Sequence, residues 1–188
     1  MSRIPRLTPA ELEPDQAALY QAIAGGPRAT GPQLFRLVDD AGSLEGPFNA
    51  FLLQPALGAA LQALGSAVRY ETHLDARIRE IAILVVAAQW DSAFERYAHE
   101  AVARSLDLTD ADLAGLRLGD YGTLREDERL AAETAAALAA GGDLDDAAYD
   151  RFVARFGRPA LFELLTLVGY YSALALQLRV FRVAAPGV

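Results

Sequence analysis

The chain contains no cysteine and no lysine. Without cysteine, disulfides, thiolate metal sites and every thiol-based redox mechanism are excluded from within the chain. A cysteine-free sequence is also compatible with a reducing compartment, and a cytoplasmic location is the expectation. All seventeen basic residues are arginines, against twenty-five acids, so the formal net charge is −8. No basic cluster offsets that balance. Nucleic acid, which is bound by displacing counterions with a positive face, is therefore not an expected partner. Long apolar runs are also missing. The N-terminus MSRIPRLTPAELE has no hydrophobic stretch behind its arginines, so no signal peptide is expected. The most apolar segment, LLTLVGYYSALAL from Leu164 to Leu176, holds thirteen residues without a charge, short of the ~20 that span a bilayer. A buried helix or a subunit contact is expected there, not a membrane span.

Alternating hydrophobicity and Asn-Gly hairpin signals are absent as well, whereas helical punctuation is abundant. An all-α fold is expected, with residues 1–188 forming a single domain. Thr8-Pro9-Ala10-Glu11 reads as the start of a helix running to about Ala24 and stopping at Gly25-Gly26-Pro27. A loop from Arg28 to Gly46 follows. Pro47 opens a further helical pattern, and Pro55 restarts it before ALGAALQALGSAVRY. Leu74 to Gln89 is the strongest helix, amphipathic in its first half and apolar all round in its second, as expected of a segment entering the core. Helices are also expected from Asp91 or Ser92 to about Ser105, from Thr109, from Glu126 to Ala140, from Asp145 or Asp146 to Phe156, and from Pro159 to about Val183. A faint internal echo links Glu80 before IAILVVAAQW with Glu163 before LLTLVGYYSA.

The stretch QWDSAFERYAH carries the chemistry worth testing. Ser92 and Glu95 have capping-box spacing, a purely structural arrangement worth about 1 kcal/mol. His99 adds a second possibility. At about 100° per residue, Ser92, Glu95 and His99 fall on one helix face, and Glu95 is in i, i+4 reach of the imidazole. A carboxylate there would fix the ring tautomer and raise its pKa, as general acid–base work requires. Glu80, at the point where its helix turns apolar, either pairs with Arg77 or faces His99 from the neighbouring helix. A metal site is disfavoured because His73 is the only other histidine. Ser92 lacks a nucleophile elbow, and no glycine-rich phosphate loop precedes a helix, so no cofactor is expected.

GSLEGPFNAFLLQPALG (42–58), LDARIREIAILVVAAQWDSAFERYAH (74–99) and LFELLTLVGYYSALALQLRVFRV (161–183) together resemble the carboxymuconolactone decarboxylase and alkylhydroperoxidase AhpD-like superfamily. The resemblance divides the chain into an N-terminal helix and loop over 1–40 and a family-like core over 41–183. It implies an all-helical protomer assembling into trimers or hexamers, with the site near a subunit interface. In the peroxidase branch the active helix carries Cys-x-x-Cys-x-x-x-His. Aligned on His99, the thiol positions fall on Ser92 and Glu95, and the family glutamate falls on Glu80. The decarboxylase branch commonly has glutamate four residues before the histidine, as here. The resemblance therefore implies Glu80, Glu95 and His99 as catalytic residues of a carboxy-lyase acting on an unsaturated lactone acid. Arg79 and Arg96 are the sequence-nearest candidates to bind the substrate carboxylate. The alternatives are a non-catalytic helical oligomer, or an enzyme of the same fold with different acid–base chemistry.

Overall fold

A computed structural model of the chain describes residues 2–26, 29 and 33–187. The expected stop at Pro27 and part of the loop after Arg28 lie outside the described residues. Eight α-helices are found among them: α1 (Pro14–Ala24), α2 (Pro47–Phe51), α3 (Pro55–Tyr70), α4 (Ala76–Gln89), α5 (Ala93–Ser105), α6 (Asp110–Leu118), α7 (Glu126–Gly141) and α8 (Asp146–Phe181). No β-strand occurs among the described residues, where a single antiparallel bridge joins Val38 to Leu44.

Most boundaries follow from local chemistry. Asp75 caps α4 by accepting from the backbone N–H groups of Arg77 and Ile78, and the Thr109–Asp112 capping box opens α6. Gly142 closes α7 in the left-handed conformation that a Cβ disfavours. The expectation of one helix from Thr8 to Ala24 is corrected. Pro9–Glu11 form only a 3₁₀ turn, and α1 starts afresh at Pro14. Pro14 has no N–H to continue a helix, and it drives Glu13 into the extended region (φ −67°, ψ 161°). Near the other end, Gly157 (φ 83°, ψ 164°) interrupts α8, and Pro159 stands just inside its second rod.

The core is organised around α4, which packs against α5, α6, α7 and α8. From Glu80 to Ala87 every residue of α4 is buried, so this helix has no solvent face over two turns. α8 covers it with Leu161, Leu164, Leu167, Tyr171 and Leu174. By length and composition α8 could cross a membrane, but half of its apolar window is buried within the fold. It is the core helix expected from Leu164–Leu176, extended by flanking turns. A smaller cluster, Phe94, Ala98 and Leu178, seals the α5–α8 contact.

Gly46 locks the segment before α2 onto this cluster. Its φ of 58° and ψ of −137° suit glycine, and a Cβ there would stand 2.1 Å from Cζ of Phe94. Both backbone strain and overpacking oppose a side chain at this position. Gly46→Ala is expected to destabilise the fold by about 2–3 kcal/mol. In urea unfolding the midpoint should fall while the slope stays unchanged.

Candidate functional site

α4 and α5 are joined by the short turn Trp90–Ser92, which lays the two helices side by side. This brings Glu80 and His99 together. The Nδ1 of His99 lies 2.6 Å from Oε2 of Glu80, and its Nε2 lies 3.4 Å from Oε2 of Glu95. All three side chains are deeply buried, at 1%, 3% and 4% exposure for Glu80, Glu95 and His99. The sequence alternative for Glu80, a pair with Arg77, is not formed. Arg77 turns instead to Glu128 (2.6 Å) and to the Leu106 carbonyl (2.6 Å).

The capping box proposed for α5 is also absent. Ser92 occupies the N-cap position, but its hydroxyl has no hydrogen-bond partner among the described residues. The reason is local: the N–H of Ser92 donates to the carbonyl of Ala87 at 2.9 Å. The donor that Glu95 would satisfy in a capping box is therefore already taken. Glu95 turns to His99, and its Oε1 has no partner among the described residues.

Burial favours neutral forms, and here it is overcome. Desolvation would raise the Glu80 pKa, but the charge and hydrogen bond of His99, aided by Arg69 and Arg79, hold it below its ordinary value. Desolvation would lower the His99 pKa, but the charges and hydrogen bonds of Glu80 and then Glu95 raise it. Each group favours the charged form of the other, and the two are bound by one short hydrogen bond. His99 commits each ring nitrogen to a different carboxylate, so the groups form a chain and do not converge on a chelation point.

A cavity of about 20 Å3, enough for one water, adjoins the chain. Its wall includes Glu95, His99, Arg69, Phe48, Tyr170 and Tyr171; Glu80 lies behind the imidazole. Tyr171 presents its ring edge-on to His99, with centroids 5.1 Å apart and planes at 88°. Burial raises the Tyr171 pKa, Arg69 opposes that, and the phenol stays neutral.

The two arginines expected to bind substrate stand elsewhere. Arg96 pairs with Asp91 at 2.8 Å. Arg79 does not line the cavity, and its Nε is buried without a partner. Arg69, in the last turn of α3, is the arginine on the cavity wall. Burial opposes its charge, but the Tyr171, Glu80 and Tyr70 electrostatics keep its pKa raised. Arg69 continues the buried stripe Gly58–Gln62–Gly65 at helical spacing, but glycine and glutamine give that stripe no apolar signature in the sequence, so no local signal marked the arginine.

No family model and no curated protein matches the chain's sequence. Solved structures do match its shape. An uncharacterized peroxidase-related protein from Ralstonia eutropha, described as an alkylhydroperoxidase AhpD core, superposes with a TM-score of 0.78 at 13% identity, over 99% of this chain and 93% of that one. The chain has the AhpD-like fold. A second peroxidase-related protein, from Silicibacter, gives 0.76 at 15% identity over 99% and 92%. A cysteine-to-alanine variant of the debrominase Bmp8 bound to 2,3,4-tribromopyrrole gives 0.75 at 12% identity, over 100% and 95%. On this AhpD-like fold, a chain without thiols carries a buried histidine between two carboxylates.

The coupled pair makes stability depend on pH in two directions. Glu80, with its pKa lowered, contributes stability that is complete above its ordinary value of 4.5 and is lost as pH falls through the depressed pKa. His99, with its pKa raised, contributes stability that is complete below its ordinary 6.5 and is lost as pH rises through the elevated pKa. Urea unfolding should therefore show greatest stability between about pH 4.5 and 6.5, and His99→Gln should flatten the alkaline limb.

Proposed function

We propose that the protein is a small-molecule lyase using thiol-free acid–base chemistry, with a carboxymuconolactone-like unsaturated acid as its substrate class. The observation that carries this reading is the buried Glu80–His99–Glu95 chain beside a cavity that also holds an arginine. A bidentate guanidinium is the natural receptor for a carboxylate in a desolvated site, and the position of Arg69 on the cavity wall supports that role. The debrominase complex, with a small flat unsaturated ring on the same fold, supports a ligand of similar shape.

The division of labour follows from the geometry. Glu80 is a positioning residue: its short bond holds a proton on Nδ1 of His99, the nitrogen turned away from the cavity. Nε2 then faces Glu95 and the cavity, and it delivers a proton to substrate carbon. In the decarboxylation, the bond from ring carbon to carboxylate breaks and releases CO₂. Its electron pair enters the dienolate, and a carbon of that dienolate takes the proton from Nε2. Glu95, reached by water, returns a proton to the imidazole. The neutral Tyr171 phenol and Arg69 stabilise negative charge near the site.

At about 20 Å3 the cavity is smaller than any such substrate, so turnover requires its wall to open. The same closure favours a second reading, a non-catalytic helical oligomer in which His99 is a satisfied core histidine. Self-association as trimers or hexamers belongs to both readings. An apolar groove of about 230 Å3, lined by Leu53, Leu57, Leu61 and Phe181, supports it.

Carboxymuconolactone and related small unsaturated acids, assayed by CO₂ release, distinguish the two readings. His99→Gln is expected to lower kcat by about 100-fold or more, and Arg69→Met to act mainly on KM. If no acid is turned over, and His99→Gln changes only the thermal midpoint, the lyase reading is wrong.

A further inference from the structure

Loss of CO₂ from an unsaturated lactone acid asks one thing of the proton-carrying groups around it: a single proton delivered to the dienolate. The cavity at His99 offers two such groups. Oε2 of Glu95 stands 3.4 Å from Nε2 of His99, and both residues line the cavity. Glu80, by contrast, lies behind the ring and is committed to Nδ1 at 2.6 Å. Oε1 of Glu95 has no partner among the described residues, so that oxygen is uncommitted. The flanking carboxylates raise the His99 pKa, which favours a proton on Nε2 ready to be given. A carboxylate that accepts and an imidazole that donates thus stand side by side on one wall. A decarboxylation has no use for the accepting partner beyond resupply, which water can perform.

The pair suits a proton shift along an allylic system. In an unsaturated lactone the bond from the γ carbon to a carboxylate and the bond from the γ carbon to hydrogen break to the same dienolate, because the electron pair stays on carbon in both. We infer that the site also isomerises unsaturated lactones, moving a proton from the γ carbon to the α carbon of molecules that carry hydrogen where the lyase substrate carries its leaving carboxylate. Glu95 takes the γ proton, and the electron pair of that C–H bond enters the ring as the dienolate. The Nε2–H of His99 gives its proton to the α carbon, and the double bond comes to lie between the β and γ carbons. Glu95, now protonated, passes its proton to Nε2 across the 3.4 Å contact, so the site regains its starting state with no atom gained or lost. The neutral Tyr171 phenol, hydrogen-bonded to Arg69 on the same wall, favours charge on the lactone oxygen. The inference rests on the lactone-acid reading for its ligand, but not on CO₂ release.

Two probes on the full chain test it. One is the α,β-unsaturated butenolide with a carboxymethyl group on its γ carbon, followed by proton NMR. The other is the same butenolide with a second carboxylate on that carbon, followed by CO₂ release. Conversion of the first probe to its β,γ-unsaturated isomer should run about 100-fold or more faster than in buffer. Glu95→Gln, which keeps the side-chain size but accepts no proton, should lower isomerisation by about 100-fold and CO₂ release by less than about tenfold. His99→Gln should lower both. A merely structural Glu95 would lower the two rates in parallel. Isomerisation without CO₂ release keeps this inference and removes the lyase reading. CO₂ release without isomerisation does the reverse, and inactivity on both probes removes both. Undiminished isomerisation by Glu95→Gln also overturns the inference. The wild-type comparison decides by itself if a variant fails to fold.

Discussion

Holding a histidine between two carboxylates in the core is the constraint on which the rest of the architecture depends. Removing ions from water costs several kcal/mol each, and only close, well-directed partners offset that cost. The 2.6 Å contact of His99 with Glu80 is such a partner, and it exists only because α4 and α5 are clamped side by side by the Trp90–Ser92 turn. α4 must then be buried all round, which requires α6, α7 and α8 to enclose it. Tyr171 from α8 and Arg69 from α3 complete the shell from opposite directions in the sequence. Charge and packing thus specify the same helix arrangement.

The hydrogen-bond inventory at the start of α5 shows how one backbone bond redirects chemistry. The Ala87 carbonyl takes the N–H of Ser92, so Glu95 has no cap to complete and turns toward His99. The Ser92 hydroxyl, at the same helix end, is buried without a hydrogen-bond partner among the described residues. One turn of helix therefore carries both a carboxylate turned to the histidine and a buried, unpaired hydroxyl. The absence of thiols gives both features their meaning, because chemistry at Ser92 and Glu95 is restricted to protons and hydrogen bonds.

Much of the helical framework was legible in the chain because its signals are local. Asp75, Thr109 and Gly142 act on groups within four residues of themselves, and the apolar run after Glu80 can only be a core helix. The misreading at Thr8–Ala24 arose where two local rules compete, a capping signal at Thr8 and a helix-breaking proline at Pro14. In the site, the i, i+4 relation of Glu95 and His99 was legible from helical geometry alone. The arginines were not. Arg79 and Arg96 are near in sequence, but proximity along a helix does not determine which way a long side chain leaves it.

By itself, then, the sequence determined the all-helical class, the exclusion of thiol chemistry, and a candidate acid–base pair on one helix face. Composition and short-range periodicity suffice for each of these. Tertiary structure alone decided that Glu80 pairs with His99 and not with Arg77, that Ser92 does not cap, and that Arg69 is the cavity's cation. Each depends on which distant groups compete for a donor or a charge, and that competition is settled only when helices far apart in the chain are packed together.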